Sequence, residues 1–180
     1  YQFPYAIALY LFAAPFTLFV SGLPAYMDLL RTVVAVADTL AGLLVYLMLV
    51  RATGDRLAGA IGVGLFHLIP LNYQVQVTGN LTNAFAQSAF LVTLALVALG
   101  TVREGSRKGL AVGIAAAAVA SLGHTSPFAI LVPVLVLVAV LFWIAGGPAL
   151  RGSARTGAWM TLSALVLAVG LYYAHFPDTY

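Results

Sequence analysis

The chain has 180 residues, 63% of them hydrophobic and only 7% charged, with 8 Lys and Arg against 5 Asp and Glu. A water-soluble domain of this length needs a charged exterior over its core, so the composition excludes one and requires hydrocarbon around most of the chain. The net charge of +3 does not argue for nucleic acid, because the basic residues fall in short connections between apolar runs; the absence of Cys excludes a disulfide framework and a thiolate metal site.

A bilayer core about 30 Å thick requires roughly 20 apolar residues per helix. On that criterion the chain reads as seven candidate segments. The first, 6–22, is interrupted by Pro15. The second and third, 30–50 and 57–77, are joined by RATGDR, and the third opens with LAGAIGVG. There Ala58 and Gly62, and Ala60 and Gly64, are four apart, a spacing that brings neighbouring backbones close. A fourth segment, 83–100, is followed by a short Ala-rich and Val-rich one at 109–123, then by 127–146 and 157–175. The expected fold is all-α: a polytopic transmembrane helical bundle of six or seven membrane segments with short loops, forming a single domain over 1–180. The termini, YQFP and PDTY, read as cuts through a longer protein.

Seven of the eight basic residues occupy alternate connections: Arg51 and Arg56 in loop 51–56, Arg103, Arg107 and Lys108 in loop 101–109, and Arg151 and Arg155 in loop 147–156. By the positive-inside rule these loops are cytoplasmic. The turn 121–128 and the C-terminus are then extracytoplasmic, and Arg31 is the one basic residue on that side. In the turn SLGHTSPF, Pro127 suits the first turn of the next helix, and Thr125 or Ser126 is placed to cap it.

Two ionisable residues fall inside the spans. Asp38 lies about 12 Å below the outer end of its helix and His67 about 15 Å below the outer end of the next. An ionisable group in the bilayer core needs a partner inside the bundle, so the matched depths predict a structural Asp38–His67 pair. At the outer face the polar residues gather: Asp28 and Arg31 before the second segment, then Asn72, Gln74, Gln76, Asn80, Thr82 and Asn83, His124 and Thr125, and Asp178. Taken one at a time these are interfacial residues, and Asp28 with Arg31 is spaced for an i,i+3 ion pair. Together they suggest a polar cavity open to the outside. Asn80-Leu-Thr is also a glycosylation sequon. The chain carries no GxxxxGK[ST], HExxH or GxSxG motif, and three dispersed His without Cys offer no metal site.

Four stretches carry a resemblance. They are YQFPYAIALYLFAAPFTLFVSG, MDLLRTVVAVADTLAGLLVYLMLVRATGDRLAGAIGVGLFHLIPLNYQVQ, NLTNAFAQSAFLVTLALVALG and SLGHTSPFAILVPVLVLVAVLF. The order is a proline-containing apolar stretch, an Arg at an outer helix end, a basic turn, a small-residue helix reaching a Pro, and a helix pair joined by a His-containing turn. It is similar to the membrane module of GT-C-type glycosyltransferases, which use polyprenyl-phosphate-linked sugars. The resemblance implies a membrane-embedded enzyme that moves a sugar from such a donor to an acceptor at the extracytoplasmic face. It also implies that segment 6–22 is re-entrant or interfacial, leaving six spans.

The family's catalytic carboxylate precedes the region where this chain starts, and no Asp or Glu precedes Asp28, so no catalytic residue is assigned. Any divalent metal would be bound by residues outside this fragment. The substrate-binding candidates are Arg31 for the donor phosphate, His124 for donor or acceptor, and Asn80 and Asp28. A transporter or permease subunit using Asp38 and His67 for coupling, or a noncatalytic membrane scaffold, are the alternatives. The expected partners are the lipid bilayer and a polyprenyl-phosphate-linked sugar, with no nucleic acid.

Overall fold

A computed structural model describes residues 7–68 and 79–175. Those residues are almost entirely helical, with no strand among them. Helix α1 (Ala8–Ala13) runs into a 3-10 turn (Ala14–Phe19), followed by α2 (Leu23–Thr53), α3 (Arg56–His67), α4 (Leu81–Ala98), α5 (Arg107–Gly123), α6 (Thr125–Ala145), α7 (Pro148–Leu171) and a closing 3-10 turn (Tyr173–His175).

Local chemistry sets the ends. Gly54, at φ 73°, stops α2 by donating its N–H to the Val50 carbonyl, and the Asp55 carboxylate then accepts the Leu57 N–H to start α3. Asn80 and Ser106 cap α4 and α5 in the same way, accepting from the Asn83 and Gly109 N–H groups. The cap of α6 is His124, whose Nδ1 accepts the Ser126 N–H at 3.2 Å; Thr125 and Ser126 are already helical. This corrects the assignment of the cap to Thr125 or Ser126.

Among the described residues four helices are long and apolar enough to cross a bilayer: α2, α4, α6 and the stretch Leu150–His175. That corrects the expectation of six or seven spans. Segment 6–22 contributes only Ala8–Phe19, too short to cross. Segment 57–77 is helical over Arg56–His67, and 69–77 lies outside the described residues. Segment 109–123 becomes α5, 17 residues with Arg107 and Lys108 in its first turn.

Two helices begin earlier than hydropathy suggests. Asp28 and Arg31 lie inside α2 rather than before it, and Arg151 and Arg155 lie inside α7 rather than in a loop. Pro24 and Pro148, near the helix starts, are the reason: their fixed φ launches a helix, and good helix formers carry it on through polar positions. At about 46 Å, α2 is longer than the roughly 30 Å hydrocarbon thickness.

Helix α4 packs between α2 and α5, and α5 packs also on α7 and α6; the principal partner of α3 is α2. Two buried clusters hold the bundle. One joins Val102, Ala117, Ala120, Leu131, Leu135, Met160 and Ala164; the other joins Ala8, Leu9, Val34, Ala84 and Phe85. The buried apolar residues are mostly alanine, while large ones such as Leu18, Leu65, Ile144 and Leu171 are exposed. A water-soluble protein does the reverse, and this much exposed apolar surface would aggregate in water. In lipid, small residues at the seams let backbones approach and large ones meet acyl chains. The chain is therefore an integral membrane helical protein.

The α2–α3 seam is formed by Gly59 against Tyr46 and Val50, and by Gly62 against Leu49, whereas Gly64 meets none of the described residues. Buried hydroxyls are satisfied locally. Ser88, Thr93, Ser121 and Thr161 each donate to the carbonyl four residues earlier, over 2.8 to 3.1 Å. These groups serve the backbone and carry no chemistry of their own.

Candidate functional site

The helices arrange their polar residues at two opposite ends. At one end Arg51 donates from Nη1 to the Leu99 carbonyl at 3.1 Å, joining the C-terminal ends of α2 and α4. Gly109 abuts the Thr101 carbonyl, Gly113 touches Val102 and Met160, and Glu104 lies against Gly152, which brings the three basic connections to this end. At the other end Gly123 packs on Ala86, and Leu9, Val34, Ala84 and Phe85 form a layer with Leu30, Leu81 and Leu122. Arg31, Asn80 and His124 adjoin that layer. Arg51 and His124 thus occupy opposite ends of the molecule.

The residues expected to bind substrate sit at the second end but do not converge in one contact network. Arg31 Nη1 donates to Asp28 Oδ1 at 3.1 Å, one helical turn apart, with both side chains largely exposed. Such an exposed i,i+3 pair contributes little to stability and leaves further guanidinium N–H groups facing outward. Asn80 Oδ1 accepts the Asn83 N–H at 3.3 Å as the α4 cap. Asn83 Oδ1 is buried with no hydrogen-bond partner among the described residues. A buried acceptor left unpaired costs about 1–3 kcal/mol, so a donor from a ligand or water would be favoured there. The sequence places Asn83 among the outer polar residues but gives no sign that its oxygen is orphaned.

His124 is in extended backbone between α5 and α6, and burial pushes its pKa below the ordinary histidine value. The neutral imidazole is also what its capping role requires, since Nδ1 must keep its lone pair to accept the Ser126 N–H. This turn is clamped from a distance. The Tyr173 hydroxyl donates to the Ser121 carbonyl at 2.8 Å, and the Tyr173 ring stacks on Phe128 with centroids 4.8 Å apart. Ser121 lies in the last turn of α5, where carbonyls lack intrahelical donors, so Tyr173 supplies one.

Away from both ends, His67 Nδ1 lies 3.5 Å from Asp38 Oδ2. Asp38 is at the midpoint of α2 and His67 is the last residue of α3. Gly42, one turn below Asp38, makes the approach possible: a Cβ there would stand 2.9 Å from His67 Nε2. The Asp38 side chain is 24% exposed and that of His67 41%, so the pair lies on the flank of the bundle.

Asn72, Gln74, Gln76 and Asp178 lie outside the described residues. Among the described residues no group of three or more His, Asp and Glu is placed to hold a metal ion. No protein family, curated protein sequence or solved structure matches the chain.

Proposed function

We propose that this chain is the membrane module of a GT-C-type glycosyltransferase, moving a sugar from a polyprenyl-phosphate donor to an acceptor at the extracytoplasmic face. The observation that carries the reading is segregation. Arg31, Asn80, Asn83 and His124 gather at the end opposite the basic connections, and Asn83 Oδ1 and outward N–H groups of Arg31 remain uncommitted among the described residues. On this reading the basic end is cytoplasmic by the positive-inside rule. Arg31 contacts the donor phosphate, since an exposed guanidinium suits a lipid-borne anion. His124, neutral at physiological pH, offers Nε2 to a donor or acceptor hydroxyl while Nδ1 holds the turn. Asp28 orients Arg31, and Asn80 positions Asn83. The reaction also requires a carboxylate to deprotonate the acceptor, a role assigned to none of these residues.

The test is transfer from polyprenyl-phosphate-linked sugars by the complete protein in native membranes. Arg31→Gln is expected to raise KM for the donor, and His124→Asn, which keeps a cap, to lower turnover. Unchanged kinetics in both variants would remove the site.

The Asp38–His67 contact at 3.5 Å favours a second reading. An acid at the midpoint of α2 facing an imidazole at the end of α3 suits a transporter or permease subunit that couples movement to protons. Proton-driven uptake into vesicles that is lost in Asp38→Asn, with no sugar transfer in any variant, would select this reading. A noncatalytic scaffold predicts neither activity.

A further inference from the structure

We propose that the corner between α6 and α7 is a binding site for an anionic phospholipid, with Arg151 and Arg155 on the headgroup phosphate and Trp143 and Trp159 at the top of the acyl chains. This inference requires only that the chain sits in a bilayer, and does not depend on which end is cytoplasmic or on the enzyme reading.

The α7 sequence lays out the chemistry in depth order. Arg151, Arg155 and Trp159 are each four residues apart, so they form one stripe that advances about 6 Å per step. The stripe is exposed and continues one to two turns further into Leu162 and Val166, which are also exposed. Cation, aromatic and aliphatic side chains follow one another, matching the phosphate, interfacial and hydrocarbon levels of a lipid. From α6, Trp143 flanks the stripe: the Arg155 guanidinium carbon lies 5.9 Å from the Trp143 ring centroid. Trp143 is 49% exposed and the adjoining Ile144 73%, so the indole has a lipid-accessible face. Both tryptophans of the chain are at this corner.

Charge complementarity selects the occupant. Neither Arg151 nor Arg155 is in an ion pair among the described residues, and two like charges one turn apart repel until an anion sits between them. Glu104, from the α4–α5 connection, lies against Gly152 of α7 yet within ion-pair distance of neither guanidinium. A planar guanidinium binds phosphate oxygens in pairs, and stacking on Trp143 holds Arg155 ready to do so. The other basic positions lack these features. Arg51 donates to the Leu99 carbonyl, and Arg56 follows Asp55 on an exposed aliphatic face without tryptophan.

The experiment uses the full chain in bilayer nanodiscs, with Trp159→Phe leaving Trp143 as the sole indole. Its fluorescence quenching by brominated-acyl phosphatidylglycerol is compared with that by brominated-acyl phosphatidylcholine. The site requires stronger quenching by the anionic lipid. Arg155→Gln and Arg151→Gln should each reduce that preference about fivefold, and Arg155→Lys less, because it keeps the charge but loses the paired contact. Arg56→Gln, on the α2–α3 connection, should leave it unchanged. Equal quenching by the two lipids overturns the proposal. So does an equal loss in Arg56→Gln, which would indicate diffuse surface charge instead of a site.

Discussion

His67, the last residue of α3, stands 3.5 Å from Asp38 at the midpoint of α2, and Gly42 clears the space in which the imidazole lies. Removing either partner leaves the other without its polar contact on the flank of the bundle. Asp38→Ala or His67→Ala is expected to cost about 1–2 kcal/mol, and the double variant less than the sum. Unfolding of the single and double variants in bicelles supplies the double-mutant cycle. Strict additivity would mean that the two groups do not interact.

Close approach is expected to separate two glycines sharply. A Cβ at Gly123 would stand 2.6 Å from Ala86 Cβ and 3.0 Å from its Cα, where backbone has to move, so Gly123→Ala should destabilise by about 1–3 kcal/mol. Among the described residues Gly64 has nothing within 4 Å of where a Cβ would stand, and Gly64→Ala should stabilise α3 by about 0.5–1 kcal/mol. Thermal unfolding in detergent distinguishes the two. Similar shifts of one sign would contradict the α4–α5 packing.

Stability is expected to depend on pH through His124. Burial holds its folded pKa below the unfolded value of about 6.5, so the unfolded chain binds more protons as the solution is acidified. The favourable contribution of the neutral imidazole is complete above about pH 6.5 and is lost as pH falls through the lower folded value. His124→Asn retains a cap acceptor without titrating, so it should flatten the fall in stability below about pH 6.5. His124→Ala should lose about 1 kcal/mol at neutral pH as well. An unchanged slope in His124→Asn would place the titration elsewhere.

The absence of native Cys makes membrane orientation directly measurable. In intact cells, a single cysteine at Ser126 is expected to react with an impermeant maleimide added outside, and one at Ala52 to react only after permeabilisation. The reverse pattern would invert the proposed orientation. Labelling of both from one side would conflict with the opposite-end placement of Arg51 and His124.

Much of this was legible in the chain itself. The scarcity of charge requires hydrocarbon, and apolar runs of bilayer length mark α2, α4, α6 and most of α7, because a span must satisfy every backbone group internally. The spacing of Asp38 and His67 gives their matched depth. The boundaries were less legible. Asp28, Arg31, Arg151 and Arg155 look like loop residues to a hydropathy window, but a helix continues through polar positions once it leaves the hydrocarbon, since its hydrogen bonds do not depend on the solvent.

What the sequence by itself determined is the solvent, the helical class and the grouping of positive charge on alternate connections, each a consequence of composition and local periodicity. Which glycines form seams, which oxygen is orphaned and what touches a turn depend on distant parts of the chain. Gly62 meets Leu49 whereas Gly64 meets nothing among the described residues, although both belong to the same small-residue pattern. The Ser121 carbonyl finds its donor on Tyr173, and His124, not its hydroxyl neighbours, caps α6. Only the tertiary structure decides such matters, because the energy of close packing and hydrogen bonding falls off within a few ångströms and those distances are set by how the helices pack together.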